Sequence, residues 1–420
     1  MTRTPAEPSS TIPSRECLVE RHSPTEVTCN ELPVWHTRLA HLFALLLATA
    51  PAARLDAQRP VTLGGYVEHQ INATHMKAGW MLIDYDRVRL DIEARAGLDT
   101  RASAAVVYQL FRGNTVIALR DMLPEEFGDL ADTASVTLED RHYLNHAYVT
   151  LRPGPFEITA GKQYLTWGAA WVFNPTELFR PKNALEPTYE REGIGAICAK
   201  LSVGALSDVS LALVPEGGFE TSGKLLRARH HIAGFDLSAL LAEVHEAQSA
   251  AALLGSPDAL DRRYVLGGDV TGELLGLGVW TEATWSEIGG ERWVEATIGG
   301  NYTLAGGTGL LIEAHYNGRG RWDAPYPAAL WLGRLAGGLR TLGKGTVFAN
   351  VARPFGQLWT LGFSALTNAG DRSGVLVPSV TYSFAENVDL LFNGLVYFGA
   401  DGTEFGQDSF GGFLRGRVHF

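Results

Sequence analysis

The chain has 420 residues, 46% of them hydrophobic. No run reaches the roughly 18 consecutive apolar residues of a membrane-spanning helix. A formal net charge of −11 speaks against a nucleic-acid partner. Cysteines stand only at Cys17, Cys29 and Cys198, too few for a disulfide framework or a thiolate metal site once an export segment is removed. The 47 glycines, with 10 Trp, 13 Tyr and 18 Phe, suit a β protein with tight turns and aromatic girdles.

The first element in chain order is an export signal. Arg38 leads into LAHLFALLLATA at 39–50, and the small-residue exit PAARLDAQ follows. Cleavage is expected after Ala57, although Leu55 is larger than the usual residue two places before a cut. No Cys follows the apolar run, so a lipoprotein is not indicated. The expected division is 1–57, an N-terminal extension with a cleaved signal peptide, and 58–420, a single barrel.

From Val61 onward the hydrophobic period is two. In YDRVRLDIEARAG, Arg87, Arg89, Asp91, Glu93 and Arg95 point one way, and Val88, Leu90, Ile92, Ala94 and Ala96 the other. Strands are predicted at 61–73, 85–97, 101–112, 143–152, 156–163, 194–203, 207–214, 224–232, 235–246, 261–274, 276–286, 292–304, 309–317, 346–353, 358–368, 374–384, 388–398 and 409–420. Most are longer than the 5–6 residues usual in globular sheets and match the 9–11 that cross a bilayer at a tilt. The links alternate: tight turns such as Leu98-Asp99-Thr100 and Pro153-Gly154-Pro155 against long loops at 74–84, 113–142, 164–193, 215–223, 247–260, 318–345 and 399–408. Short periplasmic turns with long outer loops are the pattern of outer-membrane barrels. The fold expected is therefore all-β, a transmembrane antiparallel up-and-down barrel of about 18 strands, placed in the bacterial outer membrane and surrounded by its lipid. Slipping the second strand by one residue would turn five charged side chains into lipid, so the charged faces must look inward.

Segment 161–193, GKQYLTWGAAWVFNPTELFRPKNALEPTYEREG, is too long for an idle loop. It is expected to fold into the lumen and narrow it. Trp167 and Trp171 would pack on the wall, and Glu177, Arg180, Lys182, Glu190 and Arg191 would supply the constriction's charges. The motif Gly161-Lys162-Gln163, then Trp167-Gly168, then Asn174-Pro175 with Glu177 resembles porin-like outer-membrane barrels, including 18-strand export barrels of the alginate-export type. The resemblance implies a barrel of that class and names no substrate.

Inward parity assigns further lumen charges. Arg87, Arg89, Asp91, Glu93 and Arg95 lie with Arg415 and Arg417 near the barrel's closure, and Glu282, Glu295 and Glu313 lie opposite. A basic wall would then face an acidic one across a wet pore and set up a transverse field. The last strand ends on Phe420 in the lipid-facing phase, which resembles the C-terminal signature read by the barrel-assembly machinery. The segment 322–338, WDAPYPAALWLGRLAGG, predicts a short amphipathic helix near the lipid surface.

These features predict a porin-like channel for passive or substrate-guided passage of small solutes or an extended polymer. No catalytic residue, metal or cofactor is expected, because no serine is seen paired with a base. An outer-membrane enzyme with a loop or lumen site, and a plugged barrel acting in adhesion or assembly, are the alternatives. Homo-oligomers are compatible with the sequence, which marks no interface.

Overall fold

The computed structural model describes residues 61–76, 79–118, 120, 127–128, 135–216, 218–247, 260–335, 339–406 and 409–420. The export signal read at 39–57 lies outside the described residues.

The strands in chain order are β1 (Val61–Met76), β2 (Gly79–Ala96), β3 (Thr100–Gly113), β4 (Val116–Ala118), β5 (Ser135–Thr137), β6 (Arg141–Leu151), β7 (Phe156–Gln163), β8 (Ile194–Val203), β9 (Ser207–Glu216) and β10 (Gly218–Ile232). They continue as β11 (Phe235–Ala247), β12 (Leu260–Leu274), β13 (Leu277–Ile288), β14 (Glu291–Thr303), β15 (Gly309–Asn317), β16 (Gly345–Phe355), β17 (Trp359–Asn368), β18 (Gly374–Ala385), β19 (Val388–Phe398) and β20 (Phe410–His419). All but β4 and β5 form one 18-stranded antiparallel sheet, in which each strand pairs with the next. The sheet closes where β20 pairs with β1, from Tyr66 opposite His419 to His75 opposite Phe410. Closure leaves no unpaired edge, as a bilayer demands.

Every predicted barrel strand is present. The strands reach further at their outer ends than the sequence pattern shows. Most of 74–84 and of 215–223 is strand and not loop, because β1 runs to Met76, β2 starts at Gly79, β9 runs to Glu216 and β10 starts at Gly218. There the alternation dissolves into runs such as Gly79-Trp80-Met81-Leu82-Ile83, and pairing with β1 supplies what periodicity does not. The loop after β3 also contains an unpredicted two-stranded sheet, β4 with β5.

Side-chain parity follows the pleat. On β2, Ile83, Tyr85 and Arg87 are buried, while Val88, Leu90 and Ile92 are 37–41% exposed. An exposed row of valine, leucine and isoleucine is a lipid-facing belt, not a surface for water.

The inward face is not polar throughout, which corrects the simple scheme of charged inside and apolar outside. Ala196, Ala212, Val214, Leu225, Leu240, Ala242, Val244 and Val265 form one buried apolar patch over β8–β12. A second patch groups Phe348, Leu366, Val375 and Val377 of β16–β18 with Phe405. Apolar residues on an inner wall need a cover, and segment 164–193 provides it.

Helix α1 (Ala328–Leu335) forms where the amphipathic pattern predicted one. It does not lie on lipid. Trp331 is buried with Tyr326 and Leu342, and Arg334 reaches Glu404 at 2.7 Å. The fully buried Glu404 side chain also accepts hydrogen bonds from the Leu342 and Gly343 amides and from Asn368. Arg334, Leu342 and Gly343 are thereby tied to Asn368 of β17 through Glu404, since a buried carboxylate is stable only when its oxygens are satisfied.

Candidate pore constriction

Segment 164–193 leaves the wall at Gln163 and rejoins it at Ile194, and both ends are held by Asn145. Pairing between β3 and β6 shifts register between Ala105 and Val106, so that Asn145 is the extra residue of a bulge. Asn145 and His146 are consequently both buried, against strict alternation. The Asn145 carbonyl accepts the Gly193 amide at 2.8 Å, and its Nδ2 donates to the Arg191 carbonyl at 3.2 Å. Its Oδ1 accepts the Tyr164 hydroxyl. Gly193 suits this crossing, because a Cβ there would lie 3.0–3.1 Å from the carbonyl oxygens of Gln163 and Asn145.

The segment next curls around two buried glutamates. Glu282 is 1% and Glu313 0% exposed. Glu282 accepts the amides of Ala169 (3.0 Å), Ala170 (3.2 Å) and Thr176 (2.7 Å), the Thr176 hydroxyl (2.7 Å) and Asn174 Nδ2 (3.2 Å). Glu313 accepts the amides of Trp171 (2.7 Å), Val172 (3.0 Å) and Phe173 (2.7 Å), with Trp280 Nε1 at 2.9 Å. Successive backbone N–H groups that converge on an anion form a nest. Here the anions belong to the wall and the nest to the loop.

This geometry gives the sequence motif a physical role. A Cβ on Gly168 would lie 2.7 Å from Asn174 Nδ2 and 2.9 Å from Glu282 Oε2, so only glycine fits between them. Asn174 is buried and ties the curl through the Ala170 carbonyl at 2.8 Å. Trp167-Gly168 and Asn174-Pro175 are the two sides of a glutamate-binding turn.

From there the segment visits the remaining wall. Leu165, Trp167, Leu178 and Phe179 pack on the apolar patch of β8–β12. Val172 and Phe173 join the patch of β16–β18, with Ala184 and Leu185 against it, and the Phe173 ring stacks on His315 at 4.7 Å. Glu186 then pairs with Arg415 (2.9 Å), and the Tyr189 hydroxyl donates to Glu68 (2.8 Å) and accepts from Arg87 (2.6 Å). Glu190 pairs with Arg87 (3.5 Å) and with Arg89, and accepts the Tyr66 hydroxyl. The path touches β1, β2, β6, β8–β13, β15–β18 and β20, so it lines most of the lumen's circumference.

The anticipated constriction residues therefore divide. Trp167 is a packing residue. Trp171 is 44% exposed, and its backbone carries the contact to Glu313. Glu177 is buried and pairs with Arg191 at 2.7 Å; Arg191 also donates to the Arg180 carbonyl, and Arg180 itself is exposed. Lys182 donates to the carbonyls of Ala170 (2.8 Å) and Trp171 (3.0 Å). Burial holds its ammonium below the usual lysine range, with Glu177 acting in the opposite direction.

The lumen charges are mostly spoken for. The basic side, Arg87, Arg89, Arg415 and Arg417, is paired with Glu68, Asp91, Glu186 and Glu190. On the acidic side, Glu295 lies 3.5 Å from Arg263, and Asp269 pairs with Arg227 at 3.1 Å. Asp91, Glu93 and Arg95, toward the inner turns, are more open, with side chains 34%, 35% and 69% exposed. The two walls do not face each other across open water: the loop lies between them and matches each. Sequence parity located the charges, but not the loop groups that would meet them. It also passed over Glu68, which shares the inward phase of β1 with Tyr66 and Gln70.

The structure brings Ser103 Oγ within 2.8 Å of His146 Nε2, a pair the sequence did not show. His146 Nδ1 faces the Tyr164 hydroxyl at 3.2 Å, where a carboxylate would complete a hydrolytic triad. The group sits beside Asn145 at the loop anchor and braces it. Above the curl, a cavity of about 510 Å³ opens between Phe173, Lys182, Leu185, Trp331, Arg334 and Arg340.

No protein-family model matches the chain, and neither does any curated protein. Among solved structures, Acinetobacter baumannii OccAB1 aligns over 85% of this chain and 96% of its own, at 11% identity and a TM-score of 0.53. OccAB4 of the same organism aligns over 87% and 100%, at 10% identity and a TM-score of 0.51. The chain shares the fold of these two proteins, a closed antiparallel β-barrel, here of 18 strands. A mutant of the Rh. blastica porin aligns over 86% of this chain and 100% of its own, at 11% identity and a TM-score of 0.44.

Proposed function

We propose that this barrel resides in the bacterial outer membrane and conducts small solutes past a constriction built by residues 164–193. The observation that carries the reading is the loop's course: it is folded inside the lumen and fastened around most of the wall, with a cavity above it. Such a loop sets the pore's width without closing the barrel wall, and charged or polar linings then tune selectivity. Trp171 and Arg180, which are among the side chains left to solvent around it, and the partly buried Lys182 are placed to meet a passing solute.

Single-channel recording of the refolded, heat-modifiable protein tests the proposal. Discrete conductance steps are expected, and liposomes carrying the protein should swell in small sugars and not in large ones. A folded barrel that gives no steps and no swelling would favour a plugged barrel instead.

We also propose that Phe420 is the assembly signal. Its ring is 40% exposed in the outward phase, and its backbone pairs with Gly65 in both directions at 3.0 Å. Deleting Phe420 is expected to lower the yield of heat-modifiable protein in the outer membrane severalfold. Refolding in detergent should stay normal, and an unchanged membrane yield would remove the residue from that role.

A further inference from the structure

The lipid-facing belt dips into a groove on β13–β17. Strand pairing sets the outward positions there in two rows. The first holds Gly300, Ile312, Ala349 and Ala365. The second, nearer the tight turns, holds Tyr302, Leu310, Val351 and Phe363. Glycine and alanine keep the first row low, and the larger side chains of the second wall it in. The result is an apolar groove of about 460 Å³. That is the size of a small-molecule pocket, not of a ripple between side chains.

A cation stands at the groove's end. Thr346 and Phe348 of β16 are buried inward, so Val351 and Arg353 point outward. Arg353 is about 7 Å beyond Val351 along the strand, toward the turn at 356–358. Its guanidinium lies over the Phe355 ring at 5.1 Å and has no carboxylate partner among the described residues. Other outward cations are matched: Arg112 to Asp86, Lys224 to Glu243 and Arg292 to Glu287, at 2.7–2.9 Å. Nearer the turn, Phe355 is exposed and Trp359 stacks on Tyr382 at 4.2 Å. Aromatic belts lie at headgroup level. Arg353 is therefore at the depth of lipid phosphates, and the groove leads from it into the acyl region.

We propose that this groove binds one anionic phospholipid of the periplasmic leaflet, its phosphate on Arg353 and one acyl chain along Ala349 and Gly300. The inference rests on the membrane placement proposed above and not on conductance. Tight turns mark the periplasmic end of such a barrel, so the glycolipid of the outer leaflet lies at the other end of these strands. A second copy docked by this wall would bring another Arg353 and no carboxylate, and an unpaired cation in a protein interface is penalised. The headgroup is anionic by the same reasoning. Arg353 stands opposite Leu361, with Val351 and Phe355 on either side along its strand, so a headgroup ammonium meets no acceptor side chain there.

Native mass spectrometry of the protein extracted in detergent, titrated with dioleoyl phosphatidylglycerol or dioleoyl phosphatidylethanolamine, tests the site. One phosphatidylglycerol is expected to bind ahead of any phosphatidylethanolamine. Arg353→Gln should weaken that binding about fivefold, the effect of one basic residue at a membrane surface. Arg292→Gln, on another part of the wall, should leave it unchanged. Ala349→Phe fills the groove and should also weaken binding, while the heat-modifiable shift stays intact. Equal binding of the two lipids, or equal losses from Arg353→Gln and Arg292→Gln, would overturn the site and leave Arg353 as a residue that only reaches for water. Flotation with vesicles of the same lipids reports the membrane placement separately. A protein that floats yet shows no headgroup preference overturns the site alone; one that does not float overturns the placement and the site with it.

Discussion

Replacing Glu282 and Glu313 together by Ala is expected to raise single-channel conductance at least about twofold and to make the open level noisy. The two carboxylates accept six backbone amides from residues 169–176, and those amides have no other acceptor in the curl. Each buried donor left without a partner costs about 1–3 kcal/mol. Several at once outweigh the packing of Val172 and Phe173, and the curl then lifts toward water. The barrel itself should survive, because the ladders of β13 and β15 use main-chain groups that the substitution does not touch. Heat-modifiable migration reports that survival independently. Single Glu→Gln variants should fall between, since an amide keeps one acceptor oxygen and turns a donor toward other donors. Unchanged conductance in the folded double variant would show that the curl does not set the pore's width.

The second large effect is expected at Glu68. Its side chain is fully buried where the barrel closes, with Arg417 against it, Arg415 at 3.7 Å, and the hydroxyls of Tyr85 and Tyr189 at 3.0 and 2.8 Å. Glu68→Ala removes the carboxylate of Arg417, whose side chain is 25% exposed, while Arg415 keeps Glu186 at 2.9 Å. Stranding a fully buried charge costs about 3–5 kcal/mol and a partly exposed one less, whereas removing a whole ion pair is close to neutral. The urea midpoint of Glu68→Ala should therefore fall clearly, and Glu68→Ala with Arg417→Leu should recover part of the loss. Equal midpoints for wild type and Glu68→Ala would mean that the pairs contribute nothing to closure. Tyr189 also loses an acceptor, so the loop's far end should loosen and conductance should rise modestly in the same variant.

Both predictions draw on a difference between what alternation can and cannot reveal. In β2, Arg87 and Val88 could be assigned to opposite faces from the sequence alone, because a two-residue period leaves one arrangement compatible with lipid. Asn145 could not be assigned in that way. The bulge that turns it inward is a property of the β3–β6 pair, and the only trace in the sequence is that polar Asn145 and His146 are adjacent where one of them should have been apolar. The motif of Gly168 and Asn174 was visible as a resemblance, but its meaning was not. That required Glu282, more than a hundred residues away, to be brought between them.

Strand number, the facing of each strand, the outward belt and the identity of the long inner segment were thus determined by local chemistry. A strand in lipid must bury its backbone in a ladder and present one apolar row, and both demands are written in neighbouring residues. What the inner segment grips was decided only by the closed barrel. Closure sets Glu282, Glu313 and Glu68 around one lumen, and carboxylates withdrawn from water must be met by whatever donors the enclosed loop can offer. Those donors are mostly backbone amides, which every residue but proline carries, so no pattern of side chains could have announced them.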